Sequence, residues 1–68
     1  MNILKITKAD LDENNYYVGD EDVTVYNGSI SIDRDLGTVK FKKSLRATGF
    51  IVAYAGTGIK AGTGIKAG

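Results

Sequence analysis

Hydrophobic residues alternate with polar ones over several short stretches, and this two-residue period predicts β-strands. Ile3–Ile6 is an apolar opening of strand length. A longer alternation, Val23–Ile32, is interrupted in its middle by the Asn27-Gly28 pair. Because Asn and Gly both accept the positive φ of a type I′ turn, the pattern predicts an antiparallel hairpin with a tight turn over Tyr26–Ser29.

The second half of the chain repeats with a period of six residues. Thr57–Gly68 reads Thr-Gly-Ile-Lys-Ala-Gly twice without a change. Positions 1 and 3 of each hexad are uncharged, as expected of the inward face of a strand, and Ser or Gly mostly occupies position 6, where the chain must bend. Five hexads fall into this register: Val39–Ser44, Leu45–Phe50, Ile51–Gly56, Thr57–Gly62 and Thr63–Gly68.

This phase predicts which side chains face the interior and what fold they build. The fold class is predicted to be all-β, with a short antiparallel hairpin region (residues 1–38) leading into a small β-solenoid of hexapeptide repeats (residues 39–68) in one domain. The inward side chains are predicted to be Val39, Phe41, Leu45, Ala47, Ile51, Ala53, Ile59 and Ile65. The outward ones are predicted to be Lys40, Lys42, Arg46, Lys60 and Lys66.

Two stretches of the first half carry turn signals. Thr7–Asp10 has the layout of a capping box, with Asp in the place of the usual Glu or Gln, and predicts a helical turn over Lys8–Asn14. Asp33–Gly37 predicts a second turn that leads into the first hexad.

Composition excludes several classes of function. The 68 residues contain no Cys and no His, which removes disulfides, cysteine-bound metals and the usual general base. The chain is therefore expected not to be an enzyme and to need no cofactor. Its longest uncharged run, Ala47–Ile59, is thirteen residues and too short to span a bilayer. No signal-peptide pattern precedes it, so a cytoplasmic protein without membrane contact is expected.

Charge is divided unevenly along the chain although the net charge is only +1. All eight acidic residues lie within Asp10–Asp35, whereas six basic residues and no acid follow Leu36. Solvated acidic loops and basic strand faces explain this division. It also fits two ends that attract each other head to tail, or that meet different partners.

The tail also resembles a known family. Ile59–Gly64 is similar to the hexapeptide of left-handed β-helix proteins, although Lys60 departs from the small or acidic second position. The run also resembles the Gly-punctuated strands of bactofilin-like, polymer-forming β-helices. Membership implies a three-sided solenoid with about eighteen residues per coil, in which Lys42 and Lys60 stack on one face. Many hexapeptide-repeat proteins are acyltransferases with a catalytic His, an activity that this chain cannot inherit because it has no His.

An acid-rich loop in the first half is a candidate for Ca²⁺ binding. Asp10, Asp12, Asn14 and Glu21 occupy positions 1, 3, 5 and 12 of an EF-hand-like spacing. Position 6, where the sharp turn of an EF-hand requires Gly, is Asn15. A solvated loop is therefore the favoured interpretation, and no metal is expected.

A basic cluster is the candidate for a nucleic-acid interface. It consists of Lys40, Lys42, Lys43 and Arg46. Phe41 lies among them, as in strands that track phosphates and stack bases. The six-residue phase turns Phe41 inward, however, and a basic outer face over a β-core is favoured.

Three functions are compatible with these patterns. The first is a non-enzymatic structural module that assembles with its own copies through Thr57, Ile59, Thr63 and Ile65. The second is a small phage- or mobile-element-encoded protein that binds and inhibits a host nucleic-acid-handling complex, its acidic face imitating phosphates. The third is a nucleic-acid binder. The expected partners are other copies of the chain or another protein, and the first function is favoured because solenoid ends must be capped or they stack.

Overall fold

The computed structural model describes residues 2–68 and confirms the all-β prediction. Its regular structure consists of seven short strands and one 3₁₀ turn, Lys8–Asp10. The strands are β1 Ile3–Ile6, β2 Ser29–Ile32, β3 Gly37–Phe41, β4 Leu45–Ala47, β5 Ile51–Ala53, β6 Thr57–Ala61 and β7 Ile65–Ala67.

All strand pairs are parallel and form three small sheets. Sheet 1 has the order β1-β2-β5, sheet 2 pairs β3 with β6, and sheet 3 pairs β4 with β7. Two isolated parallel bridges extend these sheets: Tyr16 pairs with Lys40 at the edge of sheet 2, and Tyr26 pairs with Ala47 at the edge of sheet 3. The chain therefore visits the three sheets in the same order three times. We call residues 2–27 the first pass, 28–49 the second pass and 50–68 the third pass.

Partners on β2 and β5, β3 and β6, and β4 and β7 are separated by twenty or twenty-one residues, whereas those on β1 and β2 are separated by twenty-six. Val39 pairs with Ile59, Leu45 with Ile65 and Ile30 with Ile51. The resemblance to left-handed β-helix proteins implied about eighteen residues per coil, and its expectation that Lys42 stacks on Lys60 is wrong: Lys40 lies opposite Lys60. The two extra residues are Thr57 and Gly58, with which β6 begins before it reaches Ile59. Because the slip is an even number of residues, the inward and outward faces are preserved.

Side chains from all three sheets meet in one hydrophobic core. The buried members are Ile6, Val23, Ile30, Ile32, Val39, Phe41, Leu45 and Ala47. The predicted inward orientation is thus confirmed for the four positions Val39, Phe41, Leu45 and Ala47. In the third pass Ile51, Ala53 and Ile59 are partly buried against this core. Ile65 lies opposite the buried Leu45 but remains 50% exposed.

The predicted antiparallel hairpin is wrong. Val23 and Thr24 lie in a turn, and β2 pairs in parallel with both β1 and β5. The reason is that Ile30 and Ile32 become fully buried with neighbours on both sides, so β2 has no free edge. Gly28 has a φ of +145°. Tyr26 contributes its N–H to Arg46 O at 3.0 Å instead of to a hairpin partner.

Glycine recurs because each corner brings two passes into close contact. A Cβ on Gly49 would lie 3.1 Å from Gly28 O, and one on Gly62 would lie 3.2 Å from the carbonyl carbon of Lys42. At the remaining corner, a Cβ on Gly56 would lie 3.2 Å from the Cα of Asp35. A Cβ would in addition overlap Ser29 Oγ at Gly49 and the backbone oxygen of Lys42 at Gly62, which accounts for Gly at these bends of the repeat.

Hydroxyl groups join successive passes at the same corners. Thr57 Oγ1 donates to Asp33 O at 2.6 Å and accepts from Leu36 N at 3.1 Å. The buried Ser29 hydroxyl accepts from Phe50 N at 3.1 Å. These bonds satisfy backbone groups that have no partner within a strand.

Of the two turns expected near the start, one is shorter than predicted. Thr7 N donates to the Asp10 carboxylate at 2.9 Å, as the capping box requires, but the 3₁₀ turn ends at Asp10 and does not continue to Asn14. The turn over Asp33–Gly37 is confirmed, with positive φ at Asp35 and Gly37. No helix among residues 2–68 has the length and apolar character needed to cross a membrane.

Candidate functional site

The most distinctive surface is the open edge of the third pass. Within residues 2–68, no strand pairs with the outer edge of β5, β6 or β7, so each presents unpaired backbone N–H and C=O groups. We call these three edges together the open end. Edges of this kind are ready templates for another strand.

Aliphatic side chains line the open end in phase with the core. Ile51, Ile59 and Ile65 lie opposite the fully buried Ile30, Val39 and Leu45, respectively. Each continues a row of inward-facing side chains, but each is covered by the second pass alone. The open end therefore combines unpaired backbone groups with incompletely buried apolar surface.

The four residues predicted for self-association do not have equivalent places. Ile59 and Ile65 lie in β6 and β7 and face the interior. Thr57 begins β6, but its hydroxyl is already bonded to Asp33 and Leu36. Thr63 is exposed in the bend between the two strands. The isoleucines are thus the residues that another chain could bury.

The opposite end differs because one of its edges is covered. Leu11 forms an antiparallel bridge with Tyr17, in which Asp12 N donates to Tyr16 O at 2.9 Å and Val18 N donates to Asp10 O at 2.8 Å. On its other side the same segment is bonded to β3 through Tyr17 N and Lys40 O at 2.9 Å. The segment around Leu11 therefore covers the edge of sheet 2 in the first pass. No pattern in the sequence indicated this cover.

The acidic loop uses its carboxylates within the chain. Asp10 accepts from Thr7 N, and Asp12 Oδ1 accepts from Asn14 N and from Tyr16 N, each at 2.9 Å. Asn15 has a φ of +66°, which the EF-hand pattern assigns to Gly, and its amide donates to Leu36 O and Thr38 O. Among residues 2–68, no group of three or more acidic, His or Cys side chains could hold a metal ion.

The basic candidates are divided between two sheets. Lys40 projects from β3 and Arg46 from β4. The ammonium groups of Lys40 and Lys42 lie 5.5 and 5.6 Å from the centroid of the Tyr16 ring, where the ring face attracts cations. Lys43 contributes to the lowered pKa of the Asp22 carboxyl, although the hydrogen bonds from Thr24 are the larger cause. The four cations therefore do not form one continuous row.

One tyrosine is electrostatically distinct. Burial raises the pKa of the Tyr17 hydroxyl, a hydrogen bond with the backbone of Glu21 opposes the shift, and nearby carboxylates, Asp10 first among them, add to it. The Tyr17 ring also packs on Phe41, with 5.8 Å between the ring centroids. Tyr17 thus links the covering segment to the core, and nothing in its surroundings suggests a reacting group.

No family model, no curated protein and no solved structure matches this chain.

Proposed function

We propose that the chain is a non-enzymatic β-solenoid module that self-associates through its open end. The observation that carries the proposal is the register of the third pass, in which Ile51, Ile59 and Ile65 continue three buried rows but are covered on one side only. A further strand on each edge would bury these side chains and pair the free backbone groups together.

The solenoid description is supported by the order of the strands. Three passes through three parallel sheets resemble successive coils around one core, and partners on the strands of the second and third passes are twenty or twenty-one residues apart. In such folds each coil contacts only its neighbours, so an end coil lacks half of the contacts of an inner one. Full burial of one aliphatic side chain contributes about 1.5–3 kcal/mol. Burying the exposed Ile65 and completing the burial of Ile51 and Ile59 would therefore favour association substantially.

Sedimentation over a range of concentrations tests the proposal. We expect the unmodified chain to form a species heavier than a monomer, and Ile65→Lys to shift it towards the monomer by placing a charge on the apolar edge. Thr38→Lys is the control, because Thr38 is exposed on β3, one strand in from the open edge, and does not belong to the row of Val39 and Ile59. The control should associate as the unmodified chain does.

A monomer at all concentrations would contradict the proposal, especially if Thr57–Gly68 were well protected from amide exchange. Protection in a monomer would mean that one chain stabilises its own tail. The function as an inhibitor with an acidic face would then be favoured. Nucleic-acid binding has less support, because Lys40 and Arg46 lie on strands of two different sheets.

A further inference from the structure

We infer that association stops at two chains, which join open end to open end about a two-fold axis, and do not grow into a filament. This inference rests on the proposed function and adds the identity of the partner surface, namely a second copy of the same open end. Its basis is the difference between the two ends of the molecule.

A filament requires the open end of one copy to fit the first pass of the next. That first pass offers an open edge at β1, but its edge in sheet 2 is covered by the antiparallel segment around Leu11. The backbone of this segment is already used in the 3₁₀ turn, where Asp10 N donates to Thr7 O and Leu11 N donates to Lys8 O. Strand β6 of another copy would therefore meet a turn, and not a free strand edge. Folded proteins commonly cover edges in this way to prevent continued pairing.

The open end, in contrast, is complementary to itself. The three passes stack along one axis. A two-fold axis perpendicular to that stacking axis would set each open edge antiparallel to an edge of the second copy. Antiparallel pairing satisfies the free N–H and C=O groups as well as parallel pairing does. It would also place the partly buried Ile51 and Ile59 and the exposed Ile65 of one copy against those of the other. An isologous contact of this kind uses the interface of both copies completely and leaves no open end for a third.

Repulsion between lysines opposes the end-to-end dimer only weakly, and its dependence on salt distinguishes this dimer from a head-to-tail filament. The third pass carries Lys60 and Lys66 and no acid, whereas the first pass carries six acids against Lys5 and Lys8. End-to-end contact thus brings like charges together, and head-to-tail contact brings opposite ones together. Both lysines project outward from the apolar rows, and salt screens exposed charges beyond about 8 Å. Added salt should therefore tighten the proposed dimer and weaken a head-to-tail filament.

Sedimentation of two matched variants separates the arrangements. Ile65→Lys changes the open end and Ile3→Lys changes the first pass, and the two side chains are 50% and 53% exposed. We expect a mass that stops at twice that of the chain, becomes more populated with added NaCl, is lost in Ile65→Lys and persists in Ile3→Lys. Because the chain has no Cys, single replacements also report the geometry. A short bis-maleimide should link Gly68→Cys to itself, and should not link it to Asn2→Cys.

Three results would overturn the inference while leaving self-association intact. They are a mass that keeps rising beyond two chains, loss of association in Ile3→Lys, and weaker association in salt. Cross-links between Asn2→Cys and Gly68→Cys chains would also identify a head-to-tail contact. A monomer under all conditions would instead contradict the proposed function itself, so the two failures have different signatures.

Discussion

Ile30 and Ile51 lie directly opposite each other on the parallel strands β2 and β5, yet only Ile30 is completely buried. Leu4 on β1 pairs with Ile30 from the other side, whereas Ile51 has no partner on its outer edge within residues 2–68. The same residue type, in the same row, therefore has two environments that differ by one neighbouring strand.

This pair predicts a gradient of stability along the passes. Ile30→Ala should lower the free energy of unfolding by about 2–5 kcal/mol, because it leaves a cavity in the core. Ile51→Ala should cost clearly less, since part of that side chain is already in water. Denaturant unfolding at low protein concentration measures both values. Equal losses would show that Ile51 is as well packed as Ile30 in the single chain.

Replacing glycine by alanine should change stability in opposite directions at two positions. A Cβ at Gly49 would overlap Ser29 Oγ, so Gly49→Ala should destabilise the chain by about 1–3 kcal/mol through overpacking. Gly58→Ala is the control: its Cβ would meet only Thr38 Oγ1 at 3.9 Å. There the reduced freedom of the unfolded chain should stabilise by about 0.4–1 kcal/mol. Thermal unfolding of both variants gives the two signs, and a loss at Gly58 would disprove the assigned geometry.

The lysine pair across sheet 2 predicts a stabilising charge reversal. Lys40 and Lys60 lie opposite each other, and like charges in this position repel. Lys60→Glu should raise the free energy of unfolding by about 0.2–1 kcal/mol, and the gain should fall in high salt. Lys40→Glu/Lys60→Glu restores like charges and should lose the gain. Chemical unfolding at two salt concentrations measures the effect, and a salt-independent gain would point to another cause.

The partly buried Tyr17 predicts a loss of stability at alkaline pH. Burial raises its pKa in the folded chain above the ordinary value near 10. The unfolded chain therefore releases this proton first, and the stability that Tyr17 contributes is present below pH 10 and is lost as pH rises through the raised pKa. Tyr17→Phe should flatten this part of the stability profile, because it removes the titrating hydroxyl. A profile that Tyr17→Phe does not alter would contradict the assignment.

Local patterns in the sequence were sufficient for the faces of the strands. Alternation at Val39, Phe41, Leu45 and Ala47 depends only on the two-residue period of an extended chain, and it correctly indicated which side chains enter the core. The recurrence of Gly likewise indicated where the chain bends. These properties are local, because they depend on the backbone period and on the space around one residue.

Pairing between strands required the tertiary structure. Asn27-Gly28 favours a local hairpin, but β2 instead takes partners far along the chain because that arrangement buries Ile30 and Ile32 on both sides. Neither the period of six residues nor the exact repeat of the tail specified the separation of twenty residues between Val39 and Ile59, which arises because β6 begins two residues before Ile59. The cover over Tyr17, which distinguishes the two ends, has no sequence signature at all. The sequence by itself determines which residues turn inward. Which strands pair depends on how much apolar surface each possible pairing buries, and only the folded chain decides that.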